Sequence, residues 1–194
     1  MKLQGLNFTA KMKDLCIDIA QHVDDLNHID MRRVAVGFIQ TRKDVSRGLY
    51  ASLTPLRFEN GELSQKIGGK TVTIQRLFDS KGTEMLYIVN FYMPRFLKRT
   101  FRQRLITVVH ELLHISPQFN GDIRRFAGRN FAHGNSERSF DAKAERLLKA
   151  WLQTMPKADL YEFLQFSFDE LVEQYGGLYG TKYSEPRIYN INNV

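Results

Sequence analysis

The sequence predicts an α+β fold, and three observations point there. Apolar residues recur at helical spacing near the N-terminus, four strand-like stretches lie between Arg32 and Pro94, and helical periodicity returns from Arg99 onward. An N-terminal helix, then strands, then helices suit a compact α+β domain with a small sheet. At 194 residues the chain is long enough for one sizeable core, and it reads as a single domain over 1–194.

Each element has its own signal. From Thr9 to Leu26, Met12, Leu15, Ile19, Val23 and Leu26 fall on one face of a helix. In "RRVAVGFIQTR", Val34, Val36 and Phe38 alternate as in a half-buried strand. "YASLTPLRFENG" and "KTVTIQRLFDSKG" are rich in strand formers and close on glycine turns, and "EMLYIVNFYMP" is a fourth strand candidate stopped by proline. Short connections predict that the four share one small, largely antiparallel sheet. "RTFRQRLITVVHELLHI" is a helix with Pro117 just past its end. Ser116 to Gly134 reads as a long loop. Ser136 then caps "ERSFDAKAERLLKAWLQTM", and "KADLYEFLQFSFDELVEQYG" forms a last helix ended by Gly176 and Gly177. The tail 176–194 carries aromatic residues without a period and is expected to wrap the surface or be partly disordered.

Composition narrows the function. The single cysteine, Cys16, rules out a disulfide framework within the chain and zinc sites of the CxxC type; its helical setting suits a buried apolar residue. No stretch has the apolar length to span a bilayer and no leader pattern is seen, so a cytoplasmic protein without a membrane partner is expected. A net charge of +7 permits contact with nucleic acid without requiring it.

The segment "HELLH" from His110 to His114 carries the chemistry. On a helical wheel Phe101, Leu105, Val108 and Leu112 form the core arc, while Gln103, Thr107, His110 and His114 lie opposite. Two imidazoles one turn apart, projecting together from a face outside the core, suit a tetrahedral zinc ion. Glu111, rotated about 100° from His110, stands at the edge of such a site, where it can act as acid/base toward a water that zinc brings to a pKa of roughly 7.

A catalytic zinc needs a third protein ligand. The residue six beyond the second histidine is Asn120, so the short metzincin spacing fails. His133, followed by a turn-forming Gly134, is the favoured ligand because imidazole is the commonest one; Glu137, with Asp141 one turn later behind the ligand, is the alternative. His22 and His28, beside Asp24, Asp25 and Asp30, read as solvated residues at a helix end. Basic residues gather around the motif: Arg95, Lys98, Arg99, Arg102 and Arg104 before it, then Arg124, Arg125 and Arg129 in the loop. They could favour acidic peptides, stabilise an oxyanion (Arg125 or Arg129) or hold nucleic acid, and a solvated basic rim is the plainer reading.

The segment "HELLHISPQFNGDIRRFAGRNFAHG" resembles zinc metallopeptidases of bacteria and phages, and more distantly SprT-like metalloproteases, in which HExxH is followed by His-Gly. The upstream "GLYASLTPLRFENG" and "EMLYIVNFYMPRFL" carry the resemblance to residues 28–150. It implies a zincin-like fold with an edge strand above the active-site helix, His110, His114 and His133 as zinc ligands, Glu111 as catalytic acid/base, and a peptide or protein substrate. Glu84 to Tyr92, directly before the motif helix, is the candidate for that edge strand, and a core strand is its other reading. Two other readings stand beside the peptidase. One is a basic, nucleic-acid-associated binding protein whose zinc is structural. The other is a non-peptidase zinc hydrolase, although the deformylase type would need a cysteine that Cys16 does not supply.

Overall fold

The computed structural model describes residues 5–41, 48–127, 131–134 and 136–191. Strand β1 is the short Leu6–Asn7, and helix α1 follows at Phe8–His22, with the Asn7 side chain accepting the Ala10 N–H at 3.1 Å as its cap. The expected stripe from Met12 to Leu26 is buried, and Phe8 at the start of the helix joins it. The helix itself stops at His22, and Leu26 reaches the core from a 3₁₀ turn over Asp24–Leu26.

Strand β2 (Val34–Gln40) packs beneath α1. Next come β3 (Ala51–Pro55), the hairpin of β4 (Ser64–Ile67) and β5 (Lys70–Ile74), and the short pair β6 (Leu77–Phe78) and β7 (Glu84–Met85). Strand β8 (Tyr87–Met93) closes the series. The four strand candidates do not join one sheet. The central sheet has the order β2-β8-β3, and β4 and β5 belong to another. The fold is α+β, and four of its six described ladders are antiparallel, yet the longest, β2 with β8, is parallel. Parallel pairing needs a long connection. Here residues 41–86, with β3 to β7 among them, supply it.

Because β8 lies between β2 and β3, it is the central strand: of the two readings of this segment the core strand holds and the edge does not. Its interior position explains why Tyr87 through Phe91 are all buried: Tyr87, Val89 and Phe91 enter the main core, and Ile88 joins Ala35, Leu56 and Met85 in a smaller cluster on the other face. Strands β2 and β3 are the two edges of this sheet, and β3 is the one that lies beside the motif helix, α2 (Phe101–Leu113).

Helix α2 opens with a capping box: Thr100 Oγ1 accepts the Gln103 N–H at 3.3 Å, and the Gln103 side chain accepts the Thr100 N–H at 3.2 Å. Helix α3 (Glu137–Gln153) packs along α2 through Phe140, Ala144, Leu148 and Trp151, and the Trp151 indole donates to Asp18 of α1 at 2.7 Å. The expected long last helix is shorter. Two 3₁₀ turns over Ala158–Leu160 and Glu162–Gln165 precede α4 (Phe168–Tyr175), because the Ser167/Glu170 capping box starts a new helix there. Gly176, at φ +77°, ends it. The tail supplies β9 (Leu178–Tyr179), parallel to β1, and β10 (Ile188–Asn190), antiparallel to β5. No described helix is long and apolar enough to cross a membrane.

Candidate metal centre

Leu105, Val108 and Leu112 of α2 point into the core, which sends His110 and His114 to the opposite side as the wheel predicts. Their Nε2 atoms stand 3.0 Å apart. His133 arrives from the turn 131–134, which the Phe126 N–H closes by donating to the Phe131 carbonyl at 2.8 Å. Gly134 has φ +69°, and a Cβ there would press on the Phe126 ring at 3.2 Å, so the turn that delivers His133 needs glycine. One nitrogen from each of the three rings lies within 4.8 Å of the others, close enough to bind a metal ion.

Phe140 is the floor beneath the rings. It stacks on His114 at 4.6 Å between centroids and meets His110 and His133 edge-on at 4.9 and 5.2 Å. Its only sequence signal is its place on the apolar stripe of α3, which marks it as core and says nothing of the histidines. Next to it, Asp141 Oδ1 lies 2.7 Å from His110 Nδ1. A donor at Nδ1 leaves Nε2 as the lone-pair nitrogen turned toward the other rings. Glu137 lines the same cleft one turn earlier, outside the three-ring group. The structure therefore brings His133, and not Glu137, to the third position.

Burial, with the neighbouring His110, His133 and Arg124, pushes the His114 imidazole down to about 3. Burial lowers His110 as well, against the pull of Asp141. Both rings are thus neutral near pH 7, the form that coordinates a cation. Glu111 lies on the inner side of the cleft, 7% exposed, where burial raises its carboxyl to about 8 against a backbone hydrogen bond from Leu53 of β3.

The cleft over these groups has a volume of about 920 Å³, with β3 on one side, α2 as its base, and the start of α3 with the His133 turn on the other. No protein-family model, curated protein or solved structure matches the chain. The site is read from its own geometry.

The basic rim is largely redirected into the fold. Arg125 donates to Asp122 at 2.8 and 3.0 Å and lies over Phe131, away from the cleft lining; a carboxylate three residues earlier is the nearer partner. It therefore does not occupy the expected substrate position, and Arg129 lies outside the described residues. Arg124 donates to the Leu113 carbonyl at the end of α2, Arg102 pairs with Glu145, and buried Arg104 donates to the carbonyls of Leu97, Leu164 and Phe166. His28 is half-buried against the backbone of Ile115 and Ser116, so it is not the solvated residue expected; His22 is exposed.

Proposed function

We propose that the chain is a zinc-dependent metallopeptidase. The observation that carries this reading is the convergence of His110, His114 and His133 beside a buried Glu111 that also meets the backbone of Leu53 on the open strand β3. The donor set fits the ion. Zinc–nitrogen bonds of about 2.0–2.1 Å at tetrahedral angles separate ligand nitrogens by about 3.4 Å, close to the 3.0 Å between His110 and His114. Structural zinc sites are closed by four protein ligands, whereas only three histidines form the group among the described residues. That difference favours a catalytic site over a structural one.

When bound, zinc supplies Lewis-acid polarisation of a carbonyl and acidifies water. The remaining steps belong to this chain. The open edge of β3 takes an extended peptide as an added strand and holds its scissile carbonyl against α2. Glu111 accepts a proton from the attacking water as the new C–O bond forms, and gives it to the departing amine nitrogen as C–N breaks. A carboxyl raised to about 8 by burial has the basicity for that first transfer, and a cation beside it draws its pKa back toward neutrality. Asp141 holds the His110 ring in the tautomer that leaves Nε2 free.

Metal analysis of the purified chain, with a proteome-derived peptide library offered to wild type and Glu111→Gln, tests the reading. The expected result is about one zinc per chain in both proteins and cleavage by wild type alone. Cleavage unaffected by Glu111→Gln, or a chain that takes up no zinc, would overturn it.

A further inference from the structure

The cleft between β3 and α2 has a histidine end and a guanidinium end. Arg99, the residue before the Thr100 cap, lies with its guanidinium 4.4 Å from the centroid of Tyr50 and lines the cleft. Arg102 and Arg104 on the same helix, and Arg124 and Arg125 in the loop, have protein acceptors. Among the described residues nothing accepts a hydrogen bond from the Arg99 guanidinium, and its Nε is buried without a partner. The ring of Tyr50 attracts the cation without accepting its N–H groups in the way an oxygen would, so those donors remain for a ligand. A fork of this geometry matches a carboxylate.

Position along the cleft follows from β3. Tyr50, just before the strand, touches Arg99, and the Leu53 backbone faces Glu111, so the strand runs from the guanidinium end to the histidine end. The Tyr92 N–H donates to the Tyr50 carbonyl at 3.0 Å. By antiparallel alternation Ala51 and Leu53 then turn their backbone groups to the open edge. A peptide added antiparallel there runs from Glu111 toward Arg99. Of the acids of α3 that line the cleft, Asp141 is engaged by His110 and Glu145 by Arg102, and Glu137 stands near His110 at the histidine end.

We infer that Arg99 binds a substrate carboxylate about three residues to the C-terminal side of the cleaved bond, the separation of Tyr50 from Leu53 along the strand. The inference rests on the peptidase reading for its register. The carboxylate is an Asp or Glu side chain, or the C-terminus of a peptide that ends there.

Calorimetric titration of the full chain carrying Glu111→Gln separates these sources without turnover. The probes are extended peptides that differ only in Glu or Gln at one position, each with a free or an amidated C-terminus. A charge-assisted pair predicts roughly tenfold or tighter binding of the carboxylate form, lost in the additional variant Arg99→Gln and only partly kept by Arg99→Lys. A preference that follows Glu identifies the side chain, and one abolished by amidation identifies the terminus. Equal affinity for all probes, undetectable binding included, or a preference that survives Arg99→Gln would overturn the inference. Whether wild type cleaves the same peptides reports separately on the peptidase reading.

Discussion

His110 Nδ1 and Asp141 Oδ1 stand 2.7 Å apart, joining the first histidine of the motif on α2 to the exposed face of α3. A carboxylate in this place orients the ring and makes its far nitrogen a better ligand. Asp141→Asn is expected to weaken zinc binding about 10- to 100-fold, measured by competition with a chelator. Because Asp141 is exposed, the melting temperature of the metal-free protein should barely move. An unchanged zinc affinity would remove Asp141 from the site.

His133 and Glu137 separate the two candidates for the third ligand. With His133→Ala the zinc content of the purified chain should fall well below one per chain, and with Glu137→Ala it should stay near one. Zinc should also raise the melting temperature of wild type, and much less that of His133→Ala, since a ligand that binds only the folded state stabilises it. The reverse pattern would assign Glu137.

Glu84 lies between Arg57, Arg76 and Arg33, with its carboxylate paired to Arg57, 2.6 Å from Arg76 and 3.6 Å from Arg33. The Arg76 hydrogen bond first, then Arg57, pulls its pKa from 4.5 to about 2 in the folded chain, against the effect of burial. A depressed carboxylate pKa stabilises the fold above the unfolded value and loses that contribution as pH falls through the folded one. Glu84→Gln should therefore cost about 1–3 kcal/mol at pH 7, with the difference from wild type shrinking below pH 4.5 and mostly lost by pH 2. Denaturant unfolding of both proteins across that range reads it directly. A gap that stays constant down to pH 2 would show that the charge of Glu84 is not what it contributes.

Arg104 sits on α2 one residue from Leu105, and its guanidinium ties Leu97, Leu164 and Phe166 to one point through their carbonyls. Arg104→Met keeps the stem and strands these acceptors, which should cost about 2–4 kcal/mol. Chemical unfolding measures the loss. A change under about 0.5 kcal/mol, the size of an ordinary surface substitution, would contradict the role.

What the sequence determined by itself is local. The side-chain stripe of α1, the core arc of α2 and the Ser136 cap of α3 follow from spacing that neighbouring residues set, and so does the pairing of His110 with His114 one turn apart. Helical geometry needs no tertiary contact to place those two rings on one face. The β-branched and aromatic run Tyr87–Met93 left both an edge and a core strand open, although a strand apolar on both faces belongs inside a sheet.

Only the tertiary structure decided the rest. It put β2 and β3 at the edges and β8 between them, because strand order depends on partners far apart in the chain: β8 pairs with β2 across residues 41–86. It chose His133 over Glu137, since the turn at Gly134 swings one toward α2 while helix phase leaves the other on the cleft wall. It also sorted the arginines, whose formal charge is the same everywhere. A guanidinium goes to whichever acceptor packing brings within reach, so Arg104 and Arg125 were drawn into the fold and Arg99 was left on an aromatic ring at the mouth of the cleft.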